Sequence, residues 1–197
     1  MRVACLDLEG VLVPEIWQAV ASHTGISELQ LTTRDVPDYH ELMQQRLQLL
    51  DRHGITIHHI REVIGSLTPL PGAREFMRQL RARTQVVILS DTYEEFAAPL
   101  MAQLDWPTLF CNSLSIDETG RIREYHLRQD EGKLRAVRAF KSMNLTVYAA
   151  GDSYNDLSMI LEADTGAFFR PPASIVRENP EVPAMEEYPD LLEFLVS

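Results

Sequence analysis

The stretch Val3-Ala4-Cys5-Leu6-Asp7-Leu8-Glu9-Gly10 decides how the rest of the chain reads. Four apolar residues without alternation suggest a strand buried on both faces, and two acids follow at the point where that strand ends. Similar runs recur at 86–89, 108–111, 146–150 and 165–169, with helix-like stretches at 73–83, 94–104, 133–143 and 155–163. This rhythm predicts an α/β fold built on an open parallel sheet. Ligands of such sheets sit beyond the carboxyl ends of the strands, which singles out Asp7 and Glu9, Ser90 and Asp91, and Gly151 and Asp152.

The interval 15–68 breaks the rhythm. Helices are expected at 15–23, 38–53 and 58–65, with Gly25 and Gly54 as stops, and no convincing strand. The chain returns to the sheet at Thr68-Pro69-Leu70-Pro71-Gly72. The expectation is a helical cap, 15–68, inserted after the first strand of a core made of 1–14 and 69–197. Residues 112–129 alternate around a turn at Asp117–Gly120, a hairpin pattern. The tail carries Pro171, Pro172, Pro180, Pro183 and Pro189, which predicts an irregular wrap closing with a short helix over 191–195.

Composition narrows the function. The 197 residues carry 18 Lys and Arg against 29 Asp and Glu, a net charge of −11, which disfavours a basic grip on nucleic acid or anionic lipid. Cys5 and Cys111 lie in apolar runs without metal spacing and read as reduced core thiols. No stretch has the roughly 20 apolar residues of a membrane span, and the first residues do not read as a signal peptide, so a cytoplasmic location is expected. The sequence is compatible with a homodimer.

Asp7-Leu8-Glu9 at the end of a buried strand places like charges where water is scarce, an arrangement that needs a cation. Gly151-Asp152-Ser153-Tyr154-Asn155-Asp156 offers further oxygen ligands at another strand end. Together the two loops suit Mg²⁺. Ser90 is placed to donate to a phosphate oxygen, and Lys133 to compensate charge. Singly, a D-x-E is usually a solvated loop and a GDxxxD usually a helix cap. Their joint occurrence at successive strand ends favours a site.

These residues resemble the motifs of the haloacid dehalogenase superfamily of phosphatases: Asp7-Leu8-Glu9-Gly10-Val11 the first, Leu89-Ser90-Asp91-Thr92 the second, Lys133 the third, and Gly151 to Asp156 the fourth. The likeness spans the chain, cap included. It implies a three-layer, Rossmann-like core with a parallel sheet. Within the superfamily the chain is most similar to the phosphoserine phosphatase branch, and there to bifunctional enzymes that also pass the phosphoryl group from phosphoserine to homoserine. Two departures set it apart: Glu9 stands where Asp is usual, and Asp91-Thr92 where ordinary members have a Gly pair. By this resemblance Asp7 is the nucleophile and Glu9 the acid and base, with Ser90 and Lys133 holding the transferring oxygens. Mg²⁺ is held by the Asp7 carboxylate, the Glu9 carbonyl and Asp152, with Asp156 orienting the set. Substrate contacts fall to Glu15, Arg46, Ser90, Asp91, Thr92 and Asn155.

The cap residues carry readings of their own. At the helical period Arg46 falls in the apolar stripe of Tyr39, Leu42, Met43, Leu47 and Leu50. Its guanidinium either snorkels to the edge or faces a cleft where it forks onto a carboxylate; the resemblance favours the second. Glu15 suits a first helical turn, or, by the resemblance, the substrate ammonium. Arg34, Asp35 and Asp38 are expected in a cap turn. Two other readings stand beside this one: a phosphatase of another small phosphate ester, and a receiver-like phospho-acceptor without catalysis. The second has its aspartate in mid-chain and no room for a cap. A degenerate binding protein would lack the nucleophile or the GDxxxD loop.

Overall fold

A computed structural model describes residues 1–32, 35–36 and 38–197. Arg34 therefore lies outside the described residues. Among the described residues seven strands form one sheet: β1 (Arg2–Leu6), β2 (Gln85–Tyr93), β3 (Thr108–Ile116), β4 (Ile122–His126), β5 (Thr146–Gly151), β6 (Thr165–Phe169) and β7 (Ala184–Met185). Their order is β4-β3-β2-β1-β5-β6-β7. All neighbours run parallel except β3 and β4.

The apolar strands have two buried faces because successive residues feed different cores. Ala4, Leu6, Ile88 and Ala150 pack in one cluster, while Val3, Cys5, Leu89 and Ala149 pack in the other. Helices α4 (Ala73–Arg81), α5 (Glu94–Gln103) and α9 (Tyr188–Val196) cover the first face. The second is covered by α6 (Gly132–Ser142), α7 (Leu157–Glu162) and α8 (Ala173–Glu178). The result is the three-layer α/β architecture expected.

Between β1 and α4 lie α1 (Ile16–Thr24), α2 (Tyr39–Arg52) and α3 (Ile57–Ser66), plus one 3-10 turn at Ser27–Gln30 that the sequence pattern did not reveal. Gly25, at φ 72°, ends α1, and Asp38 accepts from the Glu41 amide to start α2. Among the described residues this interval contains no strand of the sheet.

Three expectations need correction. The second strand does not stop at residue 89: β2 runs to Tyr93 across an irregularity in its pairing with β3, so Ser90, Asp91 and Thr92 belong to the strand. The run at 108–111 and the hairpin are one element, because β3 continues to Ile116 and turns at Asp117–Gly120 into β4. The tail is more regular than a wrap. Its prolines stand at element boundaries: Pro172 precedes α8, and Pro189 occupies the first turn of α9. Tyr188 fastens α9 by donating to the Val11 carbonyl at 2.7 Å and packing on Phe76 and Phe169.

Candidate active site

The chain leaves β1 toward one edge of the sheet and returns at β5 on the other side, so a crevice opens beyond the ends of these two strands. Asp7 sits at its base. Its amide donates to the Ala150 carbonyl at 3.0 Å, which fixes the residue just past the last paired position of β1. Gly10 then turns the chain at φ 75°. A Cβ there would lie 2.5 Å from the Asp152 carboxylate, so only glycine lets the two loops approach this closely.

Asp156 organises the second loop. Fully buried, it accepts through Oδ2 from the amides of Asp152 and Ser153, each at 3.0 Å, and through Oδ1 from Lys133 Nζ at 2.7 Å. Lys133 reaches in from the start of α6 and also donates to Asp7 Oδ1 at 2.9 Å, with Asp91 at 3.7 Å. Burial works against the ammonium, but the Asp156 and Asp7 carboxylates outweigh it and hold the Lys133 pKa well above its ordinary value. One cation therefore faces Asp7, Asp91, Asp152 and Asp156.

That excess of negative charge is visible in the acids. Burial, followed by the Asp156 charge, raises Asp7 well above the usual carboxylate range and pushes Asp152 up to about 7. Asp7, Asp152 and Asp156 each offer an oxygen within 4.8 Å of the others, a hard-oxygen set suited to a cation such as Mg²⁺. Asp156 already spends its lone pairs on Lys133 and the loop amides, so Asp7 and Asp152 are the better ligands.

Glu9 plays a part not anticipated from sequence: its Oε2 accepts from the Ile16 amide at 2.8 Å and so caps α1. Burial, then the neighbouring Glu15 charge, pushes its carboxyl up to about 7. Glu15 is not in the first helical turn; it is the extended residue before α1. Ser90 is buried and its Oγ accepts from the Thr92 amide at 3.2 Å. The half-exposed Asp91 accepts from Asn155 Nδ2 at 3.0 Å.

One cavity of about 670 Å³ is lined by Asp7, Glu9, Glu15, Arg46, Ser90, Asp91, Thr92, Lys133, Asp152 and Asn155, with Asp156 beneath. Among the further lining residues that the sequence did not assign to the site are Trp17, Tyr39, Asn112 and Arg128. Asn112 joins two walls, donating to the Asp91 carbonyl at 3.1 Å and accepting from the Arg128 amide at 3.0 Å. A polar residue closing an apolar run was its only signal. Arg46 does not snorkel. Its side chain is buried in the cavity wall, donating from Nη2 to the Leu31 carbonyl at 2.7 Å.

Comparison with known proteins places the chain among relatives. The chain is 56% identical over 191 residues to the phosphoserine phosphatase ThrH of Pseudomonas aeruginosa, covering 97% of this chain and 93% of that one. It is 54% identical to a phosphoserine phosphatase of Pseudomonas syringae pv. tomato, covering 97% and 81%. A solved phospho-aspartyl intermediate analogue of phosphoserine phosphatase shares the fold at TM-score 0.78 and 19% identity, with 98% of each chain covered. Residues 1–164 match the haloacid dehalogenase-like hydrolases, and the chain belongs to that family.

Proposed function

We propose that this chain is a Mg²⁺-dependent phosphoserine phosphatase that carries the phosphoryl group on Asp7 and also delivers it to homoserine. The observation that carries the reading is the pairing, in one cavity, of Asp7 held by Lys133 with the buried guanidinium of Arg46. Both Pseudomonas relatives bear the name phosphoserine phosphatase, which supports the substrate.

Asp7, Asp152 and the Glu9 carbonyl would hold Mg²⁺, which supplies positive charge where phosphate meets carboxylate. The Asp7 oxygen free of Lys133 attacks phosphorus; the bond to the seryl oxygen breaks, and Glu9 protonates that oxygen. Water, or the homoserine hydroxyl, then gives its proton to Glu9 and attacks phosphorus, freeing Asp7. A carboxyl pushed up to about 7 takes both protonation states near neutrality, as the two half-reactions require. Lys133 and Ser90 hold charge on the transferring oxygens. Arg46 takes the substrate carboxylate and Glu15 the ammonium, while residues 15–68 act as the cap.

Phosphate release with Mg²⁺ tests this on phosphoserine, phosphothreonine, phosphohomoserine and sugar phosphates. Phosphoserine should lead, and a preferred sugar phosphate would overturn the substrate assignment. Phosphorus NMR of phosphoserine with saturating homoserine should show phosphohomoserine; phosphate alone would remove the transferase half.

A further inference from the structure

Arg46 presents an unusual account of a buried charge. It forms no ion pair among the described residues. Nη2 has the Leu31 carbonyl, Nη1 has the Met43 sulfur at 3.7 Å, and Nε, buried, has no partner among the described residues. A desolvated cation normally needs a compensating negative group. The Glu9 and Glu15 carboxylates act on it through space without pairing with it, and the group in contact is the indole of Trp17, whose ring centroid lies 4.5 Å from the guanidinium carbon.

We infer that Trp17 is a positioning residue for substrate selection: its π face holds the Arg46 guanidinium at the cavity wall in place of a protein carboxylate, leaving N–H donors for the carboxylate of the substrate. An aspartate or glutamate at that place would occupy the same donors and compete with the ligand. A π face gives negative potential without lone pairs directed at the N–H groups, and tryptophan gives more than phenylalanine. The plane of the indole is itself fixed. Trp17 meets Phe96 edge to face, with centroids 5.6 Å apart at 71°, and Phe96 meets Tyr93 at 5.4 Å and 80°. Phe96 and Tyr93 are buried at the end of β2 and the start of α5, beside the strand that carries Ser90. The series therefore ties the carboxylate-binding end of the cavity to the phosphate-binding end.

This inference rests on the proposed role of Arg46, and the experiment separates the two. The quantity measured is the ratio of kcat/KM for phosphoserine to that for phosphoethanolamine, which lacks the carboxylate. Trp17→Leu should lower the ratio about tenfold, mainly through the KM for phosphoserine, and Trp17→Phe should restore most of it. In an Arg46→Ala background, Trp17→Leu should not lower the ratio further. If the leucine variant does not fold, Trp17→Met replaces it, and Phe must still exceed Met. Equal losses on both substrates, or a further fall of the ratio in the double variant, would overturn the assignment of Trp17 while leaving Arg46 in place. An unchanged ratio in Arg46→Ala would overturn the carboxylate role of Arg46 and this inference with it.

Discussion

The floor and the wall of the cavity hold buried charge by different means. On the floor, Asp7 and Asp156 share one ammonium at 2.9 and 2.7 Å, and the remaining lone pairs of Asp156 are taken by loop amides. On the wall, Arg46 has a carbonyl, a sulfur and an aromatic face, and one N–H with no partner among the described residues. The floor has its hydrogen bonds closed but its charge one cation short, which suits it to a metal ion and to one repeated chemical event. The wall is left incomplete, and an incomplete wall is what a substrate can complete.

The comparison can be broken most easily at the floor. Asp7→Asn should cut kcat by several powers of ten while far-ultraviolet circular dichroism stays native, because an amide is a poor nucleophile and Lys133 keeps its bond to Asp156. Activity above about a hundredth of wild type would move the nucleophile elsewhere. Mass spectrometry of quenched enzyme locates the phosphoryl adduct independently, and any residue other than Asp7 would refute the assignment.

At the wall the expected effect is smaller and selective. Arg46→Ala should cost about 2–4 kcal/mol in kcat/KM for phosphoserine, the range for truncating one member of a buried charge pair. Steady-state kinetics on phosphoethanolamine should show little of that loss. Comparable losses on both substrates would make the wall a structural support and erase the contrast with the floor.

The two regions also differed in how far the sequence disclosed them. Asp7, Asp152 and Asp156 were readable because each follows a short apolar run that must be a doubly buried strand, and strand ends fix nearby side chains locally. Lys133 was a candidate counter-charge to which the family resemblance gave a motif, and the structure puts it at the start of α6. The partners of the wall were not readable. Trp17 reaches Arg46, and Tyr39 bonds Tyr93 hydroxyl to hydroxyl at 2.9 Å, only through packing of elements distant in sequence. The helical period placed Arg46 on an apolar face without saying what that face meets. Similarly, the extension of β2 through Thr92 depends on pairing with β3, which no local pattern in Ser90-Asp91-Thr92 announces.

The smallest effect sharpens the claim that the floor lacks one positive charge. In the metal-free protein Asp152 has its carboxyl pushed up to about 7, by burial first and by Asp156 next. A carboxyl whose pKa is raised on folding favours the folded state while protonated, and that contribution is lost as pH rises from the unfolded value near 4 through about 7. Asp7 shifts in the same direction and adds to the loss. The metal-free protein should therefore lose about a few degrees of Tm between pH 5 and pH 8 from this site. Mg²⁺ should recover more at pH 8 than at pH 5, since it binds deprotonated ligands. Asp152→Asn removes one of the titrating groups, so its metal-free Tm should fall less steeply over the same interval. Thermal scans with and without Mg²⁺ at the two pH values measure all of this. An equal Mg²⁺ shift at both, or an unaltered slope in Asp152→Asn, would mean that the floor is already neutral with Lys133 alone.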